Sequence, residues 1–109
     1  MRGLVICQFA VTSKNMITKI QKVAEESEDV YVQCESVQNV TTFDYSSFDV
    51  VLVAPQVRNY LKIVQDLCAP LGIPVEPIDV VAYGLGDAKK VLDQMRKLSE
   101  KKGEKQNDE

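Results

Sequence analysis

Three features of the sequence predict an α/β domain built on an open four-stranded parallel sheet. Four extended runs alternate with helical patterns, which is the sequence form of successive β-α units. Two of the runs, Leu4-Val5-Ile6-Cys7 and Val50-Val51-Leu52-Val53-Ala54, are apolar throughout, as strands covered on both faces must be. The other two look like edges. Val30-Tyr31-Val32-Gln33-Cys34-Glu35 alternates, and Ile73-Pro74-Val75-Glu76-Pro77-Ile78 carries two prolines that cannot donate to a ladder.

Right-handed crossovers around the central first and third runs give the strand order 2-1-3-4, that of a flavodoxin-like three-layer sandwich. Between runs one and two, Met16, Ile20, Val23 and Ala24 recur at helical spacing, with Lys14, Lys19, Lys22 and Glu25 turned outward. Thr12 or Ser13 can cap that helix. After run three, Tyr60, Leu61, Val64, Leu67, Cys68 and Leu71 form a second stripe, ended by Pro70 and Gly72. The last helix sets Ala88, Val91, Leu92, Met95 and Leu98 on one face, with Asp87 as its cap after a Gly84-Leu85-Gly86 turn. Gln38 to Ser47, rich in Thr, Ser and Asp, reads as a polar connection with room for one helical turn. Residues 1–99 form a single domain in this reading, and the polar, charged segment 100–109 is a disordered tail.

Composition excludes several kinds of chemistry. The 109 residues contain no His, the commonest general base and metal ligand, and no Trp. Thirteen basic against sixteen acidic side chains give a net charge of −3, so there is no basic field for nucleic acid or an anionic membrane. No apolar run approaches the roughly 20 residues of a bilayer span, and the sequence predicts a cytoplasmic protein without direct membrane insertion. Cys7, Cys34 and Cys68 are widely spaced, form no Cys-x-x-Cys pair and read as separate reduced thiols, with no metal site and no cofactor. Cys34 on an edge strand and Cys68 on a helix stripe read as packing residues.

Ligands of open α/β sheets bind beyond the carboxyl ends of the strands, near the switch point between central strands. Three loops qualify: Cys7 to Ser13, Ala54 to Arg58, and Ile78 to Gly84. A thiol that ends strand one and precedes a helix N-terminus meets free backbone N–H groups, which lower its pKa and suit a phosphoryl group. A small buried filler is the plainer reading of Cys7. Thr12 and Ser13 equally fit caps, Asp79 a turn residue, Tyr83 a packing aromatic and Pro55-Gln56 a simple strand exit. A receiver domain needs acidic residues where Cys7-Gln8 stand. A low-molecular-weight tyrosine phosphatase needs an Arg where Ser13 stands, to clamp phosphate and stabilise the transition state. Without that Arg, a sulfur that accepts phosphate suits a carrier better than a hydrolase.

Cys7 at the end of strand one, Thr12-Ser13 opening helix one, Val51-Leu52-Val53-Ala54-Pro55-Gln56, and the segment Val75-Glu76-Pro77-Ile78-Asp79-Val80-Val81-Ala82-Tyr83-Gly84 together resemble the lactose/cellobiose class of phosphotransferase-system enzyme IIB. The resemblance runs from Leu4 to about Leu98. It implies a phosphoryl carrier in which Cys7 takes phosphate from a histidine of enzyme IIA and passes it to a sugar held by the membrane permease, enzyme IIC. It also implies a protein docked at times on that permease. Backbone N–H groups of Gln8, Phe9, Ala10, Val11, Thr12 and Ser13 would hold the phosphoryl oxygens. Pro55, Gln56, Asp79 and Tyr83 would shape a rim that meets the partners. Phe9 and Ala10 depart from the family loop, where a small residue and a glycine are expected, and Ala makes a positive φ costlier. That departure supports the alternative, an interaction or regulatory domain that keeps the fold but has an inactive or redox-sensitive Cys7.

Overall fold

The computed structural model describes residues 1–8, 14–26 and 30–100. Its strands are β1 (Arg2–Cys7), β2 (Tyr31–Ser36), β3 (Val50–Val53) and β4 (Val75–Pro77), and its helices are α1 (Lys14–Glu25), α2 (Leu61–Cys68), α3 (Val80–Leu85) and α4 (Ala88–Ser99). The four strands form one parallel sheet in the order β2-β1-β3-β4. Both central strands follow from their composition: Leu4, Ile6, Val50, Val51, Leu52 and Val53 have no exposed surface. Strand β4 is shorter than the apolar run that predicts it. Pro74 precedes it and Pro77 ends it, so the prolines confine pairing to three residues at the sheet edge.

Crossovers leave the centre of the sheet in opposite directions, β1 to β2 and β3 to β4, so right-handed connections place α1 and α2 on opposite faces. Helix α4 packs against α1 and β3 and completes the first face, while α2 packs on β4 from the second. Gly3 makes the first contact close: a Cβ there would collide with the buried Met95 thioether of α4. The predicted α4 face is the observed one, with Ala88, Val91, Leu92, Met95 and Leu98 all buried. In α1, Ile20 and Ala24 are buried and Lys19, Lys22 and Glu25 are exposed.

The second stripe is narrower than its sequence suggests. Val64 and Cys68 are buried, but Leu67 and Leu71 lie at the surface, because α2 ends at Cys68 and the chain tightens into a 3-10 turn, Ala69–Leu71. Gln38 to Ser47 contains the tail of the 3-10 turn Val37–Asn39, and it is less polar in space than in sequence, since Val40 and Tyr45 are buried. Among the described residues no helix is long and apolar enough to cross a membrane. The predicted tail beyond Glu100 and the cap at Thr12 or Ser13 lie outside the described residues.

Candidate functional site

The carboxyl edge of the sheet is a row of strand ends fixed by backbone pairing. Cys7, the last residue of β1, is in register with Ser36 at the end of β2. On its other side Ala54 N–H donates to Ile6 O at 2.8 Å, and Ile78 N–H donates to Val53 O at 2.9 Å. The turns that follow β3 and β4 therefore leave the sheet at the same edge as Cys7, where β1 ends. Phe9, Ala10, Val11, Thr12 and Ser13 lie outside the described residues.

The Cys7 side chain is fully buried. Its Sγ lies 2.9 Å from Cys34 Sγ and 3.8 Å from the carbonyl oxygen of Glu35. Both sulfurs project from one face, because Cys7 pairs with Ser36 and side chains two apart on a strand share a face. Cys34 is partly exposed. Its contact with Cys7 and its burial, with the nearby Cys7 and Glu35 charges adding to them, push its thiol far above the ordinary value. The expectation of separate thiols is thus corrected for this pair, although none of the three cysteines forms a disulfide. Sequence spacing hid the contact, since 27 residues separate the two. Register combined with alternation is the signal that finds it. Cys68 is buried on α2, and burial pushes its thiol up to about 12.

The end of β2 is tied to the start of the first loop. Ser36 Oγ donates to the Gln8 carbonyl at 3.3 Å and accepts from Gln38 N–H at 3.2 Å, while Gln8 itself is exposed. Glu35 Oε1 accepts from Ser36 N–H and from Asn39 Nδ2, at 3.1 and 2.7 Å. Pro55 opens a 3-10 turn, Pro55–Tyr60, where its fixed φ and missing N–H suit the first helical position. Pro55 is half-buried and Gln56 exposed.

The third loop is a helix. Asp79 Oδ1 accepts from Val81 N–H at 2.9 Å and Ala82 N–H at 3.3 Å, and these two bonds cap α3 over residues expected to be irregular. The Asp79 carboxylate is accordingly engaged by its own helix, and its N–H donates to Gln94 Oε1 on α4. Tyr83 sits one turn on, half-buried against the core. Val80, Val81 and Leu85 on the same helix are 60, 63 and 76% exposed, an apolar surface that the sequence pattern did not single out.

A family model for the lactose/cellobiose-specific IIB subunit of the phosphotransferase system matches residues 2–94. The chain belongs to this family. Its IIB sequence is 30% identical over 99 residues to the oligo-beta-mannoside-specific EIIB component of Bacillus subtilis, covering 87% of this chain and 92% of that one. The cellobiose-specific phosphotransferase IIB component of Borrelia burgdorferi superposes with a TM-score of 0.74 at 27% identity, over 94% of each chain. The lactose-specific IIB domain of Streptococcus pneumoniae shares the fold with a TM-score of 0.73, at 22% identity over 90% of this chain and 96% of that one. IIB proteins are components of sugar phosphotransferase systems, in which they work with IIA and IIC components. The 2-1-3-4 sheet read from the sequence is the flavodoxin-like sheet of these neighbours.

Proposed function

We propose that this IIB protein carries a phosphoryl group on Cys7, taking it from a phosphohistidine of enzyme IIA and passing it to a sugar held by the permease, enzyme IIC. The observation that carries this reading is the place of Cys7, the last residue of a central strand, where the ends of β2, β3 and β4 gather around it in a chain of the IIB family. In the transfer, the Cys7 thiolate attacks phosphorus in line. The S–P bond forms as the N–P bond breaks, and the imidazole leaves with the electron pair. Positioning and electrostatics supply most of the acceleration of such steps. In this reading backbone N–H groups from Gln8 to Ser13, with the hydroxyls of Thr12 and Ser13, hold the phosphoryl oxygens.

Pro55, Gln56 and the exposed face of α3 form the proposed rim, on which Val80, Val81 and Leu85 give enzyme IIA an apolar surface to dock against. Asp79 serves that rim indirectly, by capping α3, and Tyr83 by seating the helix on the core. The protein works in the cytoplasm in this proposal, as one domain that meets the permease transiently. Because Cys7 is buried, acceptance of a phosphoryl group requires the strand end to open.

The test is incubation with a phosphorylated donor chain, followed by intact mass and phosphorus NMR. The parent gains one phosphoryl group with the shift of a thiophosphate, and Cys7→Ser gains none. Equal uptake by Cys7→Ser overturns the mechanism. The burial of Cys7 favours a second reading, an interaction domain in which the thiol is a filler. Alkylation near neutral pH separates the two: a carrier thiol reacts far faster than buried Cys68, whereas a filler reacts as slowly.

A further inference from the structure

We propose that Cys7 and Cys34 form a reversible disulfide that closes off the phosphoryl-accepting sulfur under oxidation. The two sulfurs are 2.9 Å apart, about 0.9 Å more than the roughly 2.0 Å of an S–S bond. They lie on one face of two hydrogen-bonded strands, offset by two residues, since Cys7 pairs with Ser36 and Cys34 with Val5, so closing the gap draws the two strand ends together as the side chains turn. Cys7 is buried, and Cys34 is the partly exposed member of the pair. Cys68 has no share in this pair. It sits on α2, over the opposite face of the sheet, close enough to influence Tyr45 together with Glu35, whose side chain alternates away from Cys34.

The oxidant is a hydroperoxide. The thiolate of one cysteine attacks the outer peroxide oxygen and breaks the O–O bond, giving a sulfenic acid and, after protonation, an alcohol. The second sulfur then attacks the sulfenic sulfur, the S–S bond forms, and water leaves with the transferred proton. The net change is two thiols and one hydroperoxide to one disulfide, one alcohol and one water. Both sulfurs are oxidised and both peroxide oxygens reduced. A Cys7 sulfur bound to Cys34 is no longer available as the thiolate that attacks phosphorus, so the pair acts as a redox gate. The bond itself rests on geometry alone, and its gating role rests on the carrier reading above.

The full-length chain treated with hydrogen peroxide, with no phosphoryl donor present, tests the bond. Its intact mass falls by two hydrogen atoms, and an unreduced peptide map links the Cys7 and Cys34 peptides. Cys68→Ala behaves the same way, while Cys34→Ala gains oxygen on Cys7 instead. Peroxide that leaves Cys7 and Cys34 unlinked, or links either to Cys68 or to a second chain, overturns the proposal. The oxidised protein is then offered the phosphorylated donor: uptake is lost and returns with dithiothreitol. Full uptake by the linked protein overturns the gating role. A protein that forms the bond under peroxide but, when reduced, never accepts phosphate shows instead that the carrier reading has failed while the disulfide stands.

Discussion

Tyr45 anchors the long connection between β2 and β3 with a single buried bond, its hydroxyl donating to the Val40 carbonyl at 2.7 Å. The ring is 4% exposed and meets Phe43 edge-on at 5.2 Å, with Phe48 beyond at 5.7 Å from Phe43. Tyr45→Phe keeps the ring packing but leaves the carbonyl without its partner. We expect a loss of about 1 kcal/mol, read as a lower urea midpoint at unchanged slope. No change would show that water or a neighbour takes over the carbonyl. Tyr45 also shows where residue-level reading of sequence stops. Polar neighbours such as Thr41, Thr42, Asp44 and Ser46 make the segment read as solvent-facing, and only the three-dimensional closure against Phe48 shows why one tyrosine in it is core. Cys7 was legible because its position ends an unmistakable central strand. Cys34 was not, because its significance lies in a cross-strand register that a one-dimensional pattern does not contain.

The element most altered by folding is α3. Its sequence, Val80-Val81-Ala82-Tyr83-Gly84-Leu85, has two β-branched residues and a glycine, weak helix formers with no clear apolar stripe, so it reads as a loop. Its ends make it a helix. Asp79 satisfies two free N–H groups at the start, and Gly86, at φ 68°, closes the end in the left-handed region where a Cβ is costly. Asp79→Ala therefore lowers stability by about 1 kcal/mol, and Asp79→Asn, which keeps an accepting oxygen, recovers most of it in the same urea titration. Equal losses for both variants would point to the carboxylate charge instead of the cap. The contact between β1 and α4 yields a second expectation. Gly3→Ala inserts a methyl group where Met95 already lies, and overpacking of this kind costs about 1–3 kcal/mol. Met95→Ala leaves a cavity and is destabilising on its own. The double variant should be more stable than the sum of the two losses predicts, since each change relieves the other, and strict additivity would mean that the two residues do not share space. The helical stripes of α1 and α4 were legible because tertiary packing uses the same period that the sequence displays.

At the scale of the molecule, Tyr45 and Cys68 are kept neutral by burial, as Cys34 is by its contact with Cys7 and by burial. Burial raises Tyr45 from its ordinary 10.0 to about 12, with the Cys68 and Glu35 charges adding to it. Cys68 is raised from 9.0 to about 12 by burial alone. The unfolded chain releases these protons at the ordinary values, and the folded chain releases them only near 12. Between those values the unfolded state binds fewer protons, so stability falls as pH rises. The contribution of each group is fully present below its unfolded value, pH 9 for Cys68 and pH 10 for Tyr45, and is lost as pH climbs through about 12. Strand order, layer count and central strands were all legible in the sequence, yet this linkage was not, because it depends on α2 and the β2–β3 connection closing over one face together. Urea titrations at half-unit steps from pH 8 to 11 should show a flat midpoint up to about 9 and a steepening decline above it. Cys68→Ala should make the decline above pH 9 shallower, with Cys34 still contributing to it, and Tyr45→Phe should flatten it further above pH 10. If both variants follow the parent's pH slope, Cys68 and Tyr45 are not what the alkaline transition titrates, and α2 and the β2–β3 connection do not bury them together on the second face.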